Sequence, residues 1–178
     1  MQFNNAIDRY KLELDIRSDC PVPVSPERWQ AWFSTWLRLM GVEQPCELSL
    51  YLTDDDRMRE LNQRYRQLDR STDVLAFAAR EAPLPDRTEQ NSDRTELPIL
   101  LGDIAISIPT ARAQAKERGH ALTAELAWLA SHGLLHLIGW DHPDEASLQR
   151  MLQQQGQLIG QIEAIGQIEL TADPDITA

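Results

Sequence analysis

The run His132-Gly133-Leu134-Leu135-His136-Leu137-Ile138-Gly139-Trp140-Asp141-His142 constrains this chain more than any other stretch. It closes an apolar segment, residues 124–138, that reads as a buried helix. His132 and His136 are four apart, so on that helix their imidazoles leave one face, one turn apart. Gly139 lets the chain exit through a tight turn, and His142 then folds back toward the other two. Three of the chain's 4 histidines fall in this one window. Two imidazoles from a helix and a third from the next turn make a donor set for a divalent ion with one position left open.

A buried helix needs a core, and 178 residues with 42% hydrophobic content supply one. A chain this long hides roughly 70% of its unfolded surface on folding. No stretch approaches the ~20 apolar residues that span a bilayer, and the N-terminus lacks the basic and apolar regions of a secretory signal. Cys20 and Cys46 lack ligand spacing and read as reduced thiols of a cytoplasmic protein without chemistry of their own. A membrane protein, a disulfide scaffold and a coiled coil are excluded.

Periodicity places the elements. Residues 9–16 and 46–52 alternate as strands, 72–78 reads as a short strand, and 99–108 as a last one. Ser25 and Pro26 open a helix to about Met40. Its Trp29, Trp32 and Trp36 stripe reads as core in preference to a base-stacking platform. Thr53 or Asp54 caps a helix to Arg66, Pro109 opens one to Arg118, Thr123 caps 124–138, and Pro143 starts a final helix to about Ile165. Residues 80–98 are polar, hold three prolines and read as a flexible loop. The expectation is a single catalytic α+β domain over residues 1–165 with a frayed tail at 166–178. Its small mixed sheet has about four strands and packs with five or six helices.

The net charge of −11 argues against unspecific binding to a polyanion. Residues 57–70, however, carry Arg57, Arg59, Arg64, Arg66 and Arg70 against only Glu60 and Asp69. This cationic segment reads either as a phosphate-gripping surface, with Arg66 at the helix end and Arg59, Arg64 and Arg70 tracking the strand, or as a solvated face paired with neighbouring acids.

The H-x3-H-x2-G-x2-H spacing is that of the metzincin zinc peptidases, in which a glutamate follows the first histidine as general base. Here Gly133 stands in its place, which removes the water-activating group of peptide hydrolysis. A glutamate restored there would add negative charge beside a polyanionic substrate. One Zn²⁺ per chain on His132, His136 and His142 is the expected cofactor. A closed structural site would need a fourth donor, and His120 is the candidate, although it reads first as a surface or capping residue. Asp141 adjoins His142 as a partner for a ligand, and Glu125, two turns before His132, reads as an orienting or proton-shuttling group. Capping or ion pairing is the alternative for both.

Residues 132–142 resemble the H-G-x-L-H-L-x-G-[YW]-D-H signature of the YbeY family of bacterial endoribonucleases. Residues 61–77, LNQRYRQLDRSTDVLAF, resemble its L-N-x-x-Y-R-x-x-D-x-x-T-D-V-L-S-F block, and residues 101–107, LGDIAIS, its G-D-I-x-I-S strand. Glu125 falls where the family has an acidic residue. Ala76 replaces the usual serine, Ser71 the usual proline, and the 80–98 loop is longer than expected. The resemblance implies a zincin-like α+β fold with the metal on His132, His136 and His142 and a functional arginine at Arg66. It implies metal-dependent cleavage of single-stranded RNA, in maturation of the small-subunit ribosomal RNA 3′ end and ribosome quality control, with the ribosome or its small-subunit proteins as partners and no membrane. The rival expectations are a zinc-dependent peptidase-like hydrolase and a ribosome-assembly factor whose metal is mainly structural.

Overall fold

The structure is a computed structural model, and it describes residues 12–79 and 97–166. In chain order the elements are β1 (Leu12–Ser18), α1 (Pro26–Leu39), β2 (Cys46–Thr53), α2 (Asp55–Arg66), β3 (Val74–Ala78), β4 (Ile99–Ser107), α3 (Ile108–Arg118), α4 (Leu122–Leu137) and α5 (Glu145–Ala164). The sheet order is β1-β2-β4-β3. β1, β2 and β4 run parallel, and β3 is antiparallel to β4 at one edge. The expected α+β class with a four-stranded mixed sheet is what the chain forms.

Alternation along the strands builds two layers. Leu48, Leu50 and Leu52 of β2 and Ile104 and Ile106 of β4 face a main core shared with α1, α4 and α5. The other face is smaller: Met58 of α2 packs there on Leu75 and Ala105. All three tryptophans of the α1 stripe are at most 1% exposed, so the stripe is core, as its spacing predicts. Trp36 also ties α1 to α5, donating from Nε1 to the Leu158 carbonyl at 3.0 Å.

Local chemistry sets the helix ends, with two departures from expectation. Thr123 is not a cap: α4 starts at Leu122 behind Ala121, without a side-chain cap. Pro143 stays outside α5, whose first turn is closed by an Asp144–Ser147 capping box. The expected strand residues before Leu12, residues 80–96 of the expected loop, and tail residues 167–178 lie outside the described residues.

Two glycines are fixed by close approach. Gly102 of β4 has φ +129°, and a Cβ there would sit 2.0 Å from the Phe77 carbonyl oxygen of β3. Gly133 brings α4 onto β4; a Cβ there would meet Ile104 Cγ2 at 2.9 Å. The position that replaces the peptidase glutamate therefore faces the sheet, and the expectation that it borders the substrate path is corrected: a side chain there enters the core.

Candidate metal centre and active-site cleft

α4 is buried on most sides, and its last two turns carry His132 and His136 on one face. Gly139, at φ +100°, turns the chain out of the helix. Asp141 Oδ1 then accepts the His142 backbone N–H at 2.8 Å, which fixes the turn that presents His142. The three side chains meet: their ligand atoms lie within 4.8 Å of one another. His132 Nε2 and His136 Nε2 are 3.1 Å apart. Two nitrogens bound at about 2.0–2.1 Å to a tetrahedral ion would be roughly 3.3–3.4 Å apart, so the pair already has ligand spacing.

The electrostatics suit the same purpose. Burial, then the neighbouring His132 and His142, push His136 down to about 4. Burial likewise lowers His132, against the opposing hydrogen bond with Gln155. Both imidazoles are thus held neutral, the form that coordinates a cation.

Beside the triad lies a cleft of about 290 Å³. α2 contributes Arg66 to its wall, β3 contributes Ala76 and Ala78, and the end of α4 with its turn contributes His136, Gly139, Trp140 and Asp141. β3 is the edge strand. The Asp73 carbonyl and the Ala79 N–H bond to β4, so by alternation the peptide groups of residues 74, 76 and 78 point to the free edge. Arg66 Nη2 reaches the Ala76 carbonyl at 3.5 Å. Ala76, where the resembling family has serine, puts a methyl group in the cleft wall.

α2 is held so that its last residue arrives there. Asp55, in the first turn, accepts hydroxyl hydrogen bonds from Ser107, Thr110 and Ser71. Burial works to raise its carboxyl, but these three hydroxyls outweigh it and leave it below the ordinary range. At the other end Gln67 closes the helix at φ +60°. Buried Asn62 grips the next loop through the Arg70 carbonyl at 2.8 Å.

The structure divides the residues singled out by the sequence. It brings His132, His136 and His142 together and sets Arg66 and Asp141 in the adjoining cleft. It directs Glu125 elsewhere. That carboxylate is fully buried, takes Arg118 Nη1 at 2.6 Å on one oxygen and meets His120 Nε2 at 2.5 Å on the other. His120 is therefore neither a simple surface residue nor a fourth donor; among the described residues the metal-competent cluster is the three histidines. Arg59 is paired: Asp69 takes its guanidinium in two hydrogen bonds of 2.6 and 2.9 Å, the arrangement that the solvated-face alternative predicts. Arg57 pairs with Glu60.

One residue escaped the sequence reading. Gln155 of α5 is fully buried, and its Oε1 lies 3.4 Å from His132 Nδ1. In a run of three glutamines it looks like solvated surface. Its spacing gave the signal: it is four residues after Met151 and four before Ile159, both buried.

A family profile described as "Endoribonuclease YbeY" matches residues 15–163. The chain belongs to the endoribonuclease YbeY family. Curated relatives agree with this membership. An "Endoribonuclease YbeY" of Synechococcus sp. (strain JA-2-3B'a(2-13)) is 57% identical over 157 residues, covering 88% of this chain and 94% of that protein. An "Endoribonuclease YbeY" of Nostoc sp. (strain PCC 7120) is 52% identical over 147 residues, covering 80% of this chain and 76% of that one. The solution structure of TM1509 from Thermotoga maritima has the same fold, with a TM-score of 0.54 at 22% identity over 93% of this chain and 97% of that one. The sequence resemblance to the YbeY family is thereby confirmed for nearly the whole described structure.

Proposed function

We propose that this YbeY-family chain is a metal-dependent endoribonuclease that hydrolyses single-stranded RNA, that ribosomal RNA is its substrate in the cytoplasm, and that Zn²⁺ is its resident ion. One observation carries the reading: three imidazoles converge within 4.8 Å on the flank of a cleft that also holds an exposed arginine. His132, His136 and His142 would hold the ion, and three such ligands fit a divalent cation that keeps one position open. When bound, such an ion supplies a Lewis acid for a phosphoryl oxygen and water that ionises near neutral pH.

The chain's own residues do the rest. Arg66 binds non-bridging oxygens of the scissile phosphate with its planar fork, a contact that strengthens as charge grows there. The methyl groups of Ala76 and Ala78 and the Trp140 wall narrow the cleft to a single strand. Asp141 fixes the His142 turn and so positions a ligand. Glu125 is left out of the catalytic set, because Arg118 and His120 occupy its carboxylate.

The peptidase reading has no carboxylate at position 133 and no room for one. The assembly-factor reading, with docking on ribosomal proteins, is separated by assay. The purified protein should cleave single-stranded RNA when loaded with metal and stop when a chelator is added. His136→Ala should lose both metal and cleavage. Metal-loaded protein that leaves RNA intact would refute the nuclease reading.

A further inference from the structure

We propose that Gln155 is a positioning residue of the metal centre: its buried amide locks the His132 ring in the tautomer that leaves Nε2 free to coordinate. The proposal rests on the metal-centre reading given above and assigns that centre an outer partner from a different helix.

The argument begins with the amide's own orientation. Gln155 has no exposed surface, and a buried primary amide keeps both its donor and its acceptor ends paired. One end faces the Trp128 carbonyl of α4 at 2.7 Å. A carbonyl has no proton to give, so that end is the NH₂ group, and Oε1 necessarily faces His132. Oε1 can only accept, so the proton between Gln155 and His132 sits on Nδ1 of the imidazole. A neutral imidazole carries one N–H. With Nδ1 protonated, the His132 Nε2 lone pair is free, and it points to where His136 Nε2 comes within 3.1 Å.

The partner's chemistry matters as well. An amide orients the ring without adding charge, whereas a carboxylate at this place would bring a negative charge into the centre. A neutral partner leaves the full positive charge of a bound cation available to a phosphodiester. Gln155 also anchors α5 to α4, so the ring's orientation is set by the packing of two helices and not by the ligand helix alone.

The test uses Gln155→Met, which keeps a similar volume and removes the acceptor. The variant does not orphan the Trp128 carbonyl, because Ser131 Oγ also donates to it at 2.9 Å. Ser131→Ala is the packing control, as it removes the other donor to the same carbonyl without touching the His132 ring. Thermal unfolding of the metal-free proteins shows that each is folded. Zinc affinity is read by competition with a chromophoric chelator. The His132 tautomer in the metal-free proteins is read from imidazole ¹⁵N shifts.

Loss of an outer partner costs about 10- to 100-fold in metal affinity, and that is the loss expected for Gln155→Met. Ser131→Ala should stay near the parental affinity. The parent should show His132 as the Nδ1–H tautomer, and Gln155→Met should populate Nε2–H. Parental zinc affinity in Gln155→Met overturns the proposal, as does equal loss in Ser131→Ala. An Nε2–H tautomer in the folded, metal-free parent overturns it without any variant. A parent that binds no zinc at all overturns the metal centre itself, and this inference with it.

Discussion

Arg66 occupies the last position of α2, and the hydrogen bond it makes among the described residues is a long one to the Ala76 carbonyl. The residue also lines the cleft and is exposed. Arg66→Lys keeps the charge and loses the fork. Losing one charge-assisted contact of ~1.5–3 kcal/mol slows cleavage by about 10- to 150-fold. Single-turnover cleavage of a single-stranded RNA checks this, with metal content measured alongside and expected unchanged. His136 gives a second expectation. Its folded value, pushed down to about 4, lies below the ordinary value of 6.5, so the unfolded chain binds the extra proton in between. The metal-free protein should hold this stability above pH 6.5 and lose it as the pH falls toward 4. Urea unfolding of the metal-free protein at pH 7.5 and pH 5 should show the lower midpoint at pH 5, and His136→Gln should shrink the difference.

Helix α4 works only because it lies tight on β4. Gly133→Ala puts a methyl group 2.9 Å from Ile104 Cγ2 and overpacks the interface. Its cost should be about 1–3 kcal/mol in the parent and smaller when introduced into an Ile104→Ala background, as measured by denaturant unfolding of all four proteins. Gln67, the left-handed cap of α2, invites the opposite change. Gln67→Gly relieves a conformation that costs a non-glycine residue roughly 1 kcal/mol and should raise the melting temperature by a few degrees. Elements with a local signature were legible in the sequence: Ser25 before Pro26, the tryptophan stripe, and the alternation of residues 46–52. The start of α4 was not, because packing of an apolar helix replaced a side-chain cap and Thr123 lost the role its chemistry suggests. The ligand histidines were legible because their geometry is local, one helix and one turn. Gln155 and the Arg118–Glu125–His120 grouping were not, because only tertiary packing decides whether a buried polar residue faces a ligand or another charge.

Across the whole molecule, the site draws its parts from four places in the chain: Arg66 from α2, the wall from β3, two ligands from α4 and a third from the turn to α5. A bound ion therefore joins His142, beyond the helix, to the helix itself, and only the folded chain presents all three ligands. Metal at 100 times its dissociation constant should add about 2.7 kcal/mol and raise the melting temperature by roughly 5–10 °C. Scanning calorimetry with and without chelator checks this, and in His142→Ala the difference should largely vanish. The wall has a fixed position for another reason. β3 lies against Gly102 with the Phe77 carbonyl 2.0 Å from where a Cβ would be. Every single-nucleotide missense change in a glycine codon specifies a residue that has a Cβ. This codon therefore has no silent missense neighbour. Heritable loss of the activity can arise here, directly across the sheet from Ala78 of the cleft wall, in a gene whose histidine and arginine codons are all intact.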